Sequence, residues 1–194
     1  MRIGRLHIRA VRRGGAAAPA LFDAAICYQR LGELAAYLNG HPWMVVSGLV
    51  EPLVNGRFSR THSDIDIAVP VEHLVEVAAA IVRKGYVLTT RVLRTHLTRT
   101  LDLELHLRVE PGLLRWRTRR LRFWRLTADG ELDEKTFPPY VDLFAYILRD
   151  RELLVVDNGL RLKFVNRLAT TAVLPEGGVV PIEDPSHIKA GPGD

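Results

Sequence analysis

SRTHSDIDIAVP, residues Ser59–Pro70, places two aspartates one residue apart at the start of an apolar run. The alternation from Asp64 to Ile67 is typical of a β-strand, in which residues i and i+2 point to the same side. Asp64 and Asp66 therefore share one face, where each raises the pKa of the other unless a positive charge lies between them. A divalent cation such as Mg²⁺ or Mn²⁺ supplies that charge. The alternative is a solvent-facing strand that carries two hydrated aspartates.

The residues before this strand favour a site for a nucleoside triphosphate. Ser47-Gly48 follows a short apolar strand, and a small residue followed by glycine lets backbone N–H groups approach phosphate closely. Arg57, Arg60 and His62 lie between that turn and the aspartates and suit phosphate oxygens. This order of strand, turn, short helix, basic loop and Asp-x-Asp strand brings a triphosphate and its cation together.

A third carboxylate is expected on a neighbouring strand. RTLDLELHLRV, residues 99–109, alternates cleanly and puts Asp102, Glu104 and His106 on one face, with leucines on the other. Three acids on two adjacent strands can hold two cations about 4 Å apart, and one of the acids can act as the general base. We expect at least one of Asp102 and Glu104 to be merely solvated.

WMVVSGLVEPLVNGRFSRTHSDIDIAV, residues 43–69, resembles the active-site region of the nucleotidyltransferase superfamily with the DNA polymerase β-like fold. The resemblance is greatest to the small bacterial branch of aminoglycoside and lincosamide nucleotidyltransferases and of nucleotidyltransferase toxins of toxin–antitoxin systems. It extends to about residue 111. The turn, loop and strand motifs of that branch fall on Ser47-Gly48, Gly56-Arg57, Arg60 with His62, and Asp64 with Asp66.

The resemblance implies an α/β (α+β) fold, a small mixed sheet flanked by helices, and transfer of a nucleoside monophosphate from an NTP to an acceptor hydroxyl. The metal ligands and catalytic residues would be Asp64, Asp66 and Glu104, with Asp102 in reserve for the third acid. The nucleotide would be bound by Ser47, Gly48, Arg57, Arg60, His62 and, from a later helix, Lys163. Two residues depart from the family pattern, because Ser47 replaces the commoner glycine and Glu104 the usual aspartate.

Patterning divides the chain into a basic arm (1–20), a catalytic domain (21–135), a helical C-terminal portion (136–174) and a loosely ordered tail (175–194). Helical spacing of apolar residues predicts helices over 21–38 and 71–85. It also favours a helix from residue 140 to about 153 and permits another over 157–174. Lys163 in that last segment is either a triphosphate ligand or an ordinary solvated lysine.

The acceptor is suggested by charge. The net charge is +5, and all but four of the 27 basic side chains are arginine, although a GC-rich genome would give the same bias. Aromatics interleave the arginines of segment 108–125, a composition that suits RNA but equally an amphipathic surface element. The candidate RNA contacts are Arg115, Arg117, Arg119, Arg120 and Arg122.

Several functions remain open on this composition. RNA, for example the 3′ end of tRNA, suits a basic chain better than a polycationic aminoglycoside does, and a protein hydroxyl is a third acceptor. A toxin would have an antitoxin protein as its partner, and a catalytically silent RNA-binding protein on the same fold is the remaining alternative. The single cysteine, Cys27, excludes an intrachain disulfide. The chain contains no apolar run long enough to span a membrane, and we expect a cytoplasmic location.

Overall fold

A single mixed β-sheet organises the computed structural model, which describes residues 6–12, 24–58, 62, 64–98, 101–114, 121–133, 140–149, 152–157, 160–164 and 170–185. The helices are α1 (Ala24–Tyr37), α2 (Val50–Asn55) and α3 (Leu74–Val82). The first six strands are β1 (Leu6–Arg12), β2 (Met44–Val45), β3 (Ile65–Pro70), β4 (Val87–His96), β5 (Leu101–Arg108) and β6 (Leu121–Trp124). The remaining strands are β7 (Tyr140–Arg149), β8 (Glu152–Asp157), β9 (Leu160–Phe164), β10 (Thr170–Val173) and β11 (Val179–Ile182).

The strand order places β3 in the interior of the sheet, next to the central strand β7. The order is β1-β5-β4-β6-β7-β3-β2-β11-β10, with β8 paired to β7 and β9 paired to β8. Strand β3 is antiparallel to β2 and parallel to β7, and Asp66 lies opposite Asp142 in the β3–β7 pair. Strand β2 pairs with β3 along one edge and with the parallel strand β11 along the other.

Both faces of the central strands are buried. On one face, α1 and α3 bring Leu31, Leu34 and Ile81 against the sheet, where Ile65 and Leu143 also lie in the main core. On the other face a smaller cluster forms from Met44, Val46 and Ala68, with Phe144 and Tyr146 packed against it. Full burial of one such aliphatic side chain contributes roughly 1.5–3 kcal/mol, so packing on both faces stabilises the central strands.

The local predictions around the aspartates are confirmed. Helices α1 and α3 fall inside the expected helical segments, and α2 follows the Ser47-Gly48 turn. Strand β3 continues from the Asp-x-Asp motif as expected. The fold class is therefore α+β, with a larger sheet and fewer helices among the described residues than the sequence suggests.

The predicted helical C-terminal portion is wrong. Residues 140–149 form strand β7, and the described parts of 152–174 form β8, β9 and β10. An apolar run that is buried on both faces lacks the alternation that would mark it as a strand, so periodicity alone does not separate it from a helix. In β7, Val141 and Leu143 face the main core while Phe144 and Tyr146 face the smaller cluster.

Two terminal segments contribute strands to the sheet. Residues 6–12 of the basic arm form β1, which pairs antiparallel with β5. Within the tail, residues 179–182 form β11 and join the central sheet. Among the described residues, no helix is both long enough and apolar enough to cross a membrane.

Candidate metal and nucleotide site

Three carboxylates converge where β3 and β7 lie side by side. One ligand oxygen from each of Asp64, Asp66 and Asp142 lies within 4.8 Å of the other two. Asp66 and Asp142 are paired across two parallel strands, and Asp64 immediately precedes β3. Asp64 and Asp66 share a face because they are two residues apart on an extended chain. The pairing of β3 with β7 then places Asp142 beside them.

The electrostatics of Asp66 reflect this crowding. Burial raises the pKa of the Asp66 carboxyl from 3.8 to about 7, and the neighbouring charges of Asp64 and Asp142 add to the rise. A hydrogen bond from the Ser47 side chain and the charge of Arg122 offset only part of it. Without a cation, the group therefore holds a proton at a pH where an isolated aspartate is ionised.

Arg122 is the charged side chain that flanks the third carboxylate. Its Nε lies 2.8 Å from Asp142 Oδ1 and its Nη2 donates to Asp142 Oδ2 at 3.3 Å. The first contact is a close ion pair rather than a well-aligned hydrogen bond. Arg122 is only 7% exposed, so its assignment as an RNA contact is wrong. A buried guanidinium that is paired to a buried carboxylate is not exposed to a nucleic acid.

Glu104 does not join the three aspartates. Arg91 Nη1 donates to its Oε1 at 2.9 Å, and His106 Nε2 lies 3.2 Å from its Oε2. Arg122 Nη1 is 3.8 Å from the same Oε2. Burial alone would raise the pKa of Glu104, but these partners lower it to about 2. A carboxylate held in this way is a poor general base, and the structure does not bring it to the position predicted for the third acid.

The polar face of β5 is buried, contrary to the expectation for Asp102 or Glu104. Asp102 is fully buried and pairs with Arg94 at 2.9 Å and with His96 Nδ1 at 2.7 Å. His106 is also buried and contacts Thr89 at 3.4 Å. The alternation predicted the strand correctly but not which face meets solvent, because the ion pairs formed with β4 offset the cost of burying the acids.

The Ser47-Gly48 turn lies beside the carboxylates and has an unusual backbone. Ser47 has φ of +66° and is the only described non-glycine residue with positive φ. For a residue with a Cβ this conformation costs of order 1–3 kcal/mol. The Ser47 amide donates to Glu183 Oε1 at 2.6 Å. The position where the resembling family commonly has glycine is thus the one where glycine would be unstrained.

The other predicted nucleotide ligands are placed unevenly. Arg57 is exposed after α2, and Gly56 ends that helix with φ of +68°. His62 is buried and packs edge-on against Phe58, with ring centroids 6.0 Å apart. Lys163 belongs to β9 rather than to a helix. The roles of the remaining predicted side chains stay predictions. Only the backbone of Lys163 is described, and the others lie outside the described residues: Arg60, Arg115, Arg117, Arg119 and Arg120.

Two residues of the site were missed by sequence reasoning. Asp142 lies in YVDLF, where one acid among apolar residues is the available signal. Because the segment was interpreted as a helix, that acid had no reason to face the Asp-x-Asp motif. Glu183 lies in the predicted loose tail and carries no local signal, since its role depends on a partner 136 residues away.

Comparison with known proteins gives a distant likeness. No family model matches the chain, and no curated protein matches it. Among solved structures, the lincosamide antibiotic adenylyltransferase LnuA with lincomycin bound is similar with a TM-score of 0.47 and 14% identity. The alignment covers 87% of each chain.

Proposed function

We propose that this protein is a nucleotidyltransferase that moves a nucleoside monophosphate from an NTP to an acceptor hydroxyl and releases pyrophosphate. One observation carries the proposal: Asp64, Asp66 and Asp142 gather their carboxylate oxygens within 4.8 Å. The side chain of Ser47, in the turn before α2, hydrogen-bonds the Asp66 carboxylate. Acids next to such a turn are what binding of a triphosphate with its cation requires.

The donor set fits Mg²⁺ or Mn²⁺. All three side chains offer hard carboxylate oxygens, which these cations prefer. The pKa of Asp66 is raised by burial and, in addition, by the negative charges of Asp64 and Asp142, which a cation would neutralise. A bound cation would neutralise the phosphates and favour ionisation of the acceptor hydroxyl. We assign its ligands to Asp64, Asp66 and Asp142, so that Asp142 takes the role first expected of Glu104.

The protein's own side chains have distinct tasks on this proposal. The Ser47-Gly48 turn orients the phosphates, and the exposed Arg57 adds positive charge at the other end of α2. Arg122 keeps a positive charge beside Asp142 and restrains its carboxylate. Glu104 pairs with Arg91 and lies close to Arg122, so on this proposal it positions Arg122 and does not bind the cation.

For the acceptor we propose RNA, because the chain is basic and rich in arginine and arginine pairs well with phosphate. A lincosamide or aminoglycoside acceptor is the competing proposal. The proposal of a toxin with an antitoxin partner requires an RNA acceptor, so evidence against RNA as the acceptor is also evidence against the toxin function.

The test offers each α-³²P-labelled NTP with Mg²⁺ to total tRNA, and in parallel to lincomycin, an aminoglycoside and cell lysate. We expect label on an acceptor that disappears with EDTA and in Asp66→Asn and Asp142→Asn. The matched control is Asp129→Asn, which changes an exposed aspartate in a turn and should retain transfer.

The acceptor that takes the label separates the alternatives. Label on tRNA supports the RNA proposal, whereas label on lincomycin alone replaces it with the antibiotic one. Full transfer by both Asp64→Asn and Asp66→Asn would refute the assigned metal site. RNA binding that weakens steeply with salt, without any Mg²⁺-dependent transfer, would identify a silent RNA-binding protein instead.

A further inference from the structure

The strained turn at Ser47 is held by a residue from the far end of the chain. Glu183 directly follows β11 and is 4% exposed. Its carboxylate oxygen accepts the Ser47 N–H at 2.6 Å, a short distance typical of a charge-assisted hydrogen bond. The donor, Ser47, is the only non-glycine residue with positive φ among the described residues.

The backbone fixes where Glu183 can reach. Strand β11 runs parallel to β2, with Ile182 opposite Val45. The Glu183 N–H donates to the Val45 carbonyl at 2.9 Å, and the Val46 N–H donates to the Asp66 carbonyl at 3.0 Å. The backbone of Glu183 is therefore fixed to Val45, two residues before Ser47. The same segment is bonded to β3, which carries Asp66.

The contact between Glu183 and Ser47 also affects Asp66. The Ser47 side chain hydrogen-bonds the Asp66 carboxylate, so the backbone conformation of Ser47 decides whether its hydroxyl meets that acid. A serine with positive φ tends to relax toward an ordinary conformation. Relaxation would move both the hydroxyl and the amides at the start of the turn.

We propose that Glu183 is a positioning residue for nucleotide binding. Its buried carboxylate holds Ser47 in the left-handed conformation, and this keeps the Ser47 hydroxyl within hydrogen-bonding distance of Asp66. The inference rests on the proposed function of the site. Glu183 touches the turn rather than the substrate. Its carboxylate substitutes for the conformational freedom that a glycine at position 47 would provide.

The test is a mutant cycle of the wild type, Ser47→Gly, Glu183→Ala and the double variant. The measurement is the Kd for Mg²⁺-ATP and for the other NTPs by calorimetry. In the serine background, Glu183→Ala should weaken binding about tenfold. In the Ser47→Gly background, where no lock is needed, the same change should weaken it by less than about threefold. Equal losses in both backgrounds would overturn the proposal.

A conservative variant separates hydrogen bonding from charge and from misfolding. Glu183→Gln keeps a carbonyl oxygen for the Ser47 N–H, so its Kd should stay within about threefold of the wild type. If Glu183→Gln is as impaired as Glu183→Ala while both remain folded by circular dichroism, the amide lock is not the function of Glu183.

A readout without nucleotide keeps this inference distinct from the proposed function. In the ¹H–¹⁵N spectrum of the wild-type protein, the Ser47 amide proton should resonate far downfield and move upfield in Glu183→Ala, but much less in Glu183→Gln. An unmoved Ser47 resonance in Glu183→Ala would overturn the lock. Failure of the wild type to bind any NTP, with the Ser47 shift as expected, would refute the nucleotidyltransferase proposal and leave the lock as a structural contact.

Discussion

When no cation is bound, the ionised carboxylate of Asp66 lowers the stability of the folded protein. Replacement of Asp66 by asparagine should therefore stabilise the protein at neutral and alkaline pH. The pKa of Asp66 rises from 3.8 to about 7 through burial and the charges of Asp64 and Asp142. The folded protein therefore binds the proton more tightly than the unfolded chain does. The stability associated with protonated Asp66 is fully present below about pH 3.8 and is lost as the pH rises through about 7.

The size of the effect follows from the shift. One pKa unit corresponds to about 1.4 kcal/mol, so the rise sets an upper limit of about 4 kcal/mol. Asp66 is partly accessible to water, and solvent screening reduces the effect, so we expect about 1–2 kcal/mol. The asparagine side chain carries no charge at any pH. The gain from Asp66→Asn should therefore be small near pH 4, grow between pH 5 and 7, and level off above.

The assay is urea unfolding in EDTA at pH 4, 6 and 8, with Asp129→Asn as the control for removal of an exposed aspartate. A gain of about 1–2 kcal/mol corresponds to roughly 2–8 °C in Tm for a chain of this size. Added Mg²⁺ should stabilise the wild type more than Asp66→Asn, since it binds the ionised group. A gain that does not change with pH, or a loss at pH 8, would refute the electrostatic account of Asp66.

Further predictions separate the roles of neighbouring groups. Asp142→Asn should lower Mg²⁺-dependent transfer at least about a hundredfold, and relief of its repulsion of Asp66 should offset part of the stability lost with its Arg122 ion pair. Glu104→Gln should mainly lower the free energy of unfolding, by about 3 kcal/mol. Transfer assays and urea melts together check both, and a large loss of transfer in Glu104→Gln but not in Asp142→Asn would return the third-acid role to Glu104. Cys27 is fully buried and its pKa is raised to about 12, so iodoacetamide at pH 8 should label it only after unfolding, as mass spectrometry would show; rapid labelling of the native protein would contradict its burial. Leu143→Ala should cost about 2–5 kcal/mol in urea unfolding, while Val173→Ala, at a side chain 69% exposed, should stay within about 0.5 kcal/mol; similar losses at both would contradict the placement of β7 in the core.

The site was predictable from the sequence as far as local pattern reaches. The spacing of Asp64 and Asp66 defined their common face, and the Ser47-Gly48 turn before them predicted a phosphate site. Strand β5 was likewise predicted from its alternation. Which face of β5 is buried was not predictable, because it depends on arginines of β4 that pair with its acids.

The sequence by itself determined the elements whose signals are local: the amphipathic helices, the turn and the strand that carries two carboxylates. These follow from spacing within a few residues, which fixes side-chain direction before any tertiary contact forms. Only the tertiary structure decided which acid lies beside Asp64 and Asp66 and which residue contacts the turn. Asp142 and Glu183 arrive through strand pairing between distant segments, and a register between distant strands is set by burial of both faces of the sheet, a property that no short stretch of sequence contains.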